Sequence, residues 1–111
     1  MTYATINPYT GETLATFPDA TDAEVTAAIG KAHEAFLHWQ DTTFTERGRV
    51  LQRAADILRR DSGTYAKLLT LEMGKLLGEA EAEVELSAKI FEYYVHHAEE
   101  LLKPEKLPVL D

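Results

Sequence analysis

The sequence predicts a mainly α-helical chain that opens with a β-hairpin. Two Thr-x-x-Glu signatures, at Thr21/Glu24 and Thr43/Glu46, stand just before runs whose apolar residues recur at the helical period. Ahead of them, two β-prone stretches flank a turn-forming segment of Asn7, Pro8, Thr10 and Gly11. The chain has 111 residues, 45% hydrophobic and 27% charged, which suits one small domain. A chain of this size buries roughly 65% of its unfolded surface.

The hairpin is expected over residues 3–17. Pro8 presets φ for the turn, and Gly11 supplies a positive φ. Two strands alone are marginal in water, so the hairpin must lie on other structure. A first helix over 21–39 follows, with Val25, Ala28, Ile29, Ala32, Ala35, Phe36 and Trp39 on one face. A second, over 43–61, turns Val50, Leu51, Ala54, Ile57 and Leu58 inward and leaves Arg47, Arg49, Arg53, Arg59 and Arg60 largely outward. The third, over 64–73, is expected to bury Ala66, Leu69 and Met73 and to end on Gly74 in a left-handed cap. The last and longest, over 78–102, carries the stripe Ala80, Val84, Ala88, Phe91, Val95, Ala98 and Leu102, with Pro104 just past its end. Residues 103–111 read as an extended tail.

Charge sets these elements against each other. From Glu79 to Glu100 there are seven Glu and one Lys, a net −6, whereas Glu46 to Lys75 holds seven Lys or Arg and four Asp or Glu, a net +3. Opposite signs favour packing of the last helix on the second and third. The whole chain carries −8, which repels phosphate backbones and anionic lipid and argues against nucleic-acid binding. No run approaches the ~20 apolar residues of a membrane helix, and residues 1–16 lack the pattern of an export signal. A cytoplasmic chain is expected.

The residue inventory leaves little room for self-contained catalysis. There is no Cys, so thiolate nucleophiles, disulfides and Cys metal sites are excluded within these residues. Ser62 and Ser87 lack a nucleophile-elbow context, and the six Gly form no phosphate-binding pattern. His96 with Glu92 and Glu100 has i, i+4 spacing suited to a metal, but Glu and His are routine on a solvated helix face. No metal site is predicted.

The order of short motifs is more specific. Asn7-Pro8-Tyr9-Thr10-Gly11-Glu12 is followed by Glu46-Arg47, by Leu51-x-x-Ala54-Ala55-Asp56-Ile57-Leu58, by Thr70-Leu71-Glu72-Met73-Gly74-Lys75, and by Glu79-Ala80-x-x-Glu83-Val84. With Phe91-Glu92-Tyr93-Tyr94-Val95-x-x-Ala98-Glu99, this resembles the N-terminal portion of the NAD(P)-dependent aldehyde dehydrogenases, most closely the succinate-semialdehyde dehydrogenase branch. The resemblance implies the N-terminal part of that family's α/β fold. It also implies a larger enzyme of which this chain is a fragment, structural and inactive by itself. The family's catalytic Cys, general-base Glu and oxyanion Asn have no counterpart here. NAD or NADP would belong to the parent enzyme, with none bound by this segment. By the same resemblance, Leu86, Ile90 and Tyr93 either line the aldehyde channel or pack against the rest of the enzyme. Expected partners are therefore the remainder of a dehydrogenase, or a second copy meeting exposed apolar faces. The alternative is a free-standing acidic helical module whose amphipathic faces close on one another.

Overall fold

The structure is a computed structural model and describes residues 2–109. Strand β1 (Tyr3–Ile6) pairs antiparallel with β2 (Thr13–Phe17), and four helices follow: α1 (Asp22–Trp39), α2 (Phe44–Arg60), α3 (Ser62–Met73) and α4 (Leu77–Leu101). The turn is closed by Asn7, whose Oδ1 accepts from the Tyr9 N–H at 2.9 Å and whose carbonyl accepts from the Gly11 N–H at 2.8 Å. Gly11 takes φ +76°, a conformation that costs a residue without Cβ nothing. The ladder skips Leu14, because Thr5 faces Ala15 while Ile6 faces Thr13.

Both expected capping boxes are formed. Thr21 Oγ1 accepts from the Glu24 N–H and the Glu24 carboxylate accepts from the Thr21 N–H; Thr43 and Glu46 repeat the arrangement one helix later. The Thr N–H donors hold both carboxyls below the usual carboxylate range. The break between α2 and α3 is sharper than the composition of Asp61, Ser62 and Gly63 suggests. Only Asp61 interrupts, at φ −107° and ψ 22°, and its carbonyl already accepts from the Thr64 and Tyr65 N–H groups. Helix α3 therefore begins at Ser62, two residues before the expected start. Gly74 ends it at φ +70°, and a Cβ there would lie 3.1 Å from Pro8 Cγ, so the hairpin turn seats against this cap.

Helices α2, α3 and α4 share one seam built from small residues. Ala55, Ala66, Ala80 and Ala88 are fully buried, Val84 nearly so, and Leu58, Tyr65 and Leu69 flank Ala66, Ala80 and Val84. Gly48 meets α4 at Val95. On α2, Leu51, Ala54, Ile57 and Leu58 are half-buried as expected, whereas Val50 is exposed and the buried positions are Gly48 and Ala55. Arg47 and Arg59 are also turned in rather than out. Arg47 lies over the Phe44 ring, 4.6 Å from its centroid, and donates to the Thr42 carbonyl.

Arg59 spans the seam. Its Nε and Nη2 donate to Glu85 at 3.0 and 3.1 Å, while Nη1 and Nη2 donate to Glu92, the latter at 2.8 Å. Gln52 Nε2 adds a bond to Glu92 Oε1 at 3.2 Å and another to Asp56 at 3.1 Å. The guanidinium, and then Gln52, hold the Glu92 carboxyl down to about 2, and the guanidinium also lowers Glu85. This network realises the charge opposition written in the sequence.

The other apolar faces are open. No residue of α1 is buried, because no other element packs along it: Val25, Ile29 and Phe36 are exposed, and only Trp39 borders a groove shared with α2 and α4. Met73 is 74% exposed rather than buried, since nothing covers that side of α3. Leu102, the expected end of the α4 stripe, is likewise exposed beyond the last turn. The radius of gyration is 19.8 Å, against about 13 Å for a compact chain of this length. Accessible surface is 9398 Å², about half as much again as a compact monomer of this mass exposes.

Two outcomes follow for stability. Ala80→Leu or Ala88→Leu should cost about 1–3 kcal/mol, because the seam has no room for added methylenes; chemical denaturation followed by circular dichroism measures it. Because Glu92 is depressed from 4.5 to about 2 on folding, its contribution is complete above pH 4.5 and is lost as pH falls toward 2. Glu92→Gln should flatten this acid limb in a series of melts between those pH values.

Candidate functional site

Helix α4 has two apolar faces. One, through Ala80, Val84 and Ala88 and on to Phe91 and Val95, lies in the seam. The other carries Leu86, Ile90 and Tyr93, which are 57%, 49% and 50% exposed. The offset of two residues places the stripes roughly 200° apart. A helix apolar on both sides is built to be covered on both sides.

The three predicted site residues are not equally placed. Leu86 and Ile90 line one open groove of about 680 Å³ together with Lys75, Glu79, Glu83 and Ser87. Tyr93 lies beyond it and packs on the His97 ring at 4.4 Å between centroids and on Tyr94 edge to face at 5.3 Å. Lys75, the last residue of the Thr70–Lys75 motif and given no role of its own by the sequence, is ion-paired with Glu83 at the groove's edge. The only signal for it was its place after the Gly74 cap, where the chain turns from α3 into α4. Arg59 was missed for a different reason: a lone Arg in a basic helix carries no mark of the two carboxylates it meets.

The remaining groups are already engaged. Ser87 Oγ donates to the Glu83 carbonyl at 2.9 Å, a bond internal to the helix. Glu92, the first member of the Glu92, His96 and Glu100 set, is held by Arg59 and Gln52. Among the described residues no three His, Asp or Glu side chains gather as metal ligands. At the N-termini of α1 and α2 the Glu24 and Glu46 carboxylates already occupy the capping position, which places a negative charge where an anion would otherwise sit. No helix among the described residues is long and apolar enough to cross a membrane. What the arrangement offers is therefore surface: an apolar helix face bordered by one ion pair, and an uncovered amphipathic helix.

Known proteins show the same segment. A sequence model of the aldehyde dehydrogenase family matches residues 1–111. The chain is 45% identical to the succinate-semialdehyde dehydrogenase (NADP(+)) of Deinococcus radiodurans over 96% of its length and 22% of that protein's. With succinate-semialdehyde dehydrogenase (NADP(+)) 1 of Mycobacterium tuberculosis the identity is 49%, over 95% of this chain and 23% of the relative. The crystal structure of succinic semialdehyde dehydrogenase from Streptococcus pyogenes, in complex with NADP+, superposes with a TM-score of 0.91 at 41% identity, covering 96% of this chain and 24% of that one. The chain thus spans less than a quarter of the length of these relatives. With its whole length matched by the family model, and its hairpin and four helices superposing on a solved member, the chain belongs to the aldehyde dehydrogenase family.

Proposed function

We propose that this chain works as the N-terminal segment of an NAD(P)-dependent dehydrogenase, NADP being the cofactor named for its relatives, that oxidises succinate semialdehyde to the carboxylate. The observation that carries this reading is the combination of 45–49% identity to such enzymes with an apolar surface that the chain does not cover itself. In this reading α1 and the hairpin dock on the remainder of the enzyme, and Leu86 and Ile90 border the path of the aldehyde, with Tyr93 further along α4.

The chemistry assigns the division of labour. Oxidation of an aldehyde by this family's route needs a thiolate to add to the carbonyl carbon and a base to activate the water that releases the acid. The nicotinamide, when bound, supplies the hydride acceptor. This chain has no Cys, and its six Gly form no phosphate-binding pattern. Its own residues supply apolar walls that hold an aldehyde's hydrocarbon portion and exclude water from it. The free-standing module requires amphipathic faces closed on one another, and the open face of α1 runs against it.

The experiment has two arms. The 111-residue chain alone should give no succinate-semialdehyde-dependent NADPH, and should self-associate in sedimentation and bind a hydrophobic dye; turnover by the chain alone overturns the reading. Joined to the remaining portion of the Streptococcus pyogenes enzyme, it should support turnover. There Leu86→Asp or Ile90→Asp should lower kcat/KM by about tenfold or more, the scale set by losing one or two methylene contacts. An unchanged kcat/KM would remove these two residues from the aldehyde path.

A further inference from the structure

We propose that Arg59 is the positioning residue that decides which apolar face of α4 turns into the seam. Both stripes of α4 carry large apolar side chains: Leu86, Ile90 and Tyr93 on the outward one, and Phe91 with Val84 and Val95 on the inward one, beside Ala80 and Ala88. Because the hydrophobic gain grows with the apolar area removed from water, burial alone does not choose between two stripes that both carry large side chains. Something must distinguish the two faces, and the charges do.

Glu85 and Glu92 are seven residues apart, so they stand two turns from each other along one edge of α4. Arg59 binds both, through both edges of its guanidinium, and Gln52, seven residues earlier on α2, binds Glu92 as well. The matched spacing on antiparallel helices fixes rotation and axial register together. Turning α4 by half a revolution would carry both carboxylates to its far edge and leave a half-buried guanidinium unpaired. Lys75 pairs with Glu83, but from the connecting segment, and so does not tie α4 to α2. Fixing this rotation is what presents Leu86, Ile90 and Tyr93 outward. That the presented face then meets an aldehyde rests on the function proposed above; that Arg59 sets the face does not.

The absence of Cys permits a direct test in the full chain. Gly48 and Val95 face each other, a Cβ at Gly48 lying 3.6 Å from Val95 Cγ1, whereas His97 is on the opposite side of α4. The pair Gly48→Cys with Val95→Cys should form a disulfide readily, and Gly48→Cys with His97→Cys should not. Arg59→Met, which keeps the apolar stem, should lower the ratio of the two yields several-fold while helix content by circular dichroism stays constant, and Arg59→Lys should restore part of it. An unchanged ratio in Arg59→Met would show that packing alone sets α4 and would overturn the proposal. Should Arg59→Met lose helix content, the double variant Glu85→Gln, Glu92→Gln preserves side-chain shape and decides by the same ratio. Because the readout is the rotation of α4 and not turnover, its failure is separate from failure of the aldehyde-path assignment.

Discussion

Close approach of three helices through alanine is the constraint on which the rest of this structure depends. Ala55, Ala66, Ala80 and Ala88 are fully buried, and no large side chain is. A seam of this kind brings backbones together but removes little apolar area per residue, so its hydrophobic contribution is modest. Dispersion across a close-packed contact and the Arg59 network supply the specificity that larger interlocking side chains would otherwise give. It also explains why so much apolar surface is left over. The large residues, Ile29, Phe36, Leu86, Ile90 and Tyr93 among them, are committed to faces that this chain does not close.

That uncovered surface links the fold to the function. A free monomer rarely exposes contiguous apolar patches beyond a few hundred Å², yet here an 18-residue helix stands with no buried residue and the longest helix has a whole apolar side bare. Helix α1 is nonetheless well specified locally: its capping box is complete and its length of several turns is unbroken. Local signals make the helix, and tertiary burial, which carries most helical stability in proteins, is not supplied to it by the described residues. The family relationship and the physics agree on this point independently, since one rests on residue identity and the other on area.

What could be read in the sequence divides along the same line. The hairpin turn with Gly11 at positive φ, both capping boxes, the left-handed Gly74 cap and the Ala80–Val84–Ala88 stripe are all local or periodic signals, and each is present. Periodicity failed where it had to choose a partner. It names an apolar face on α1, on α2 through Val50 and on α3 through Met73, but it does not say whether anything is there to meet it. On α2 the expected Leu51 and Leu58 do turn inward, but the buried positions are Gly48 and Ala55, which hydrophobic patterning discounts because small residues look neutral. Arg59 was hidden for a related reason. The charge imbalance between the two regions was visible, but the pairing of one guanidinium with two carboxylates 26 and 33 residues away is a property of helix rotation, which no local window contains.

Helix α4 brings these strands together. In the function proposed above, its two stripes make it a layer between two bodies, one being α2 with α3 and the other the remainder of a dehydrogenase. A helix with two apolar stripes is not oriented by amphipathicity alone, since either stripe could be buried; orientation must come from shape and from the charges between the stripes. The acidic character of α4 is therefore not merely solvating. Glu85 and Glu92 are the marks by which α2 identifies the correct edge, while Glu83 is engaged by Lys75 from the connecting segment. Placing the Arg59 network on the side already packed leaves Leu86 and Ile90 on the opposite face, where Glu79 and the Lys75–Glu83 pair border them, and it is this apolar strip that would meet either the hydrocarbon part of an aldehyde or the interior of a larger enzyme.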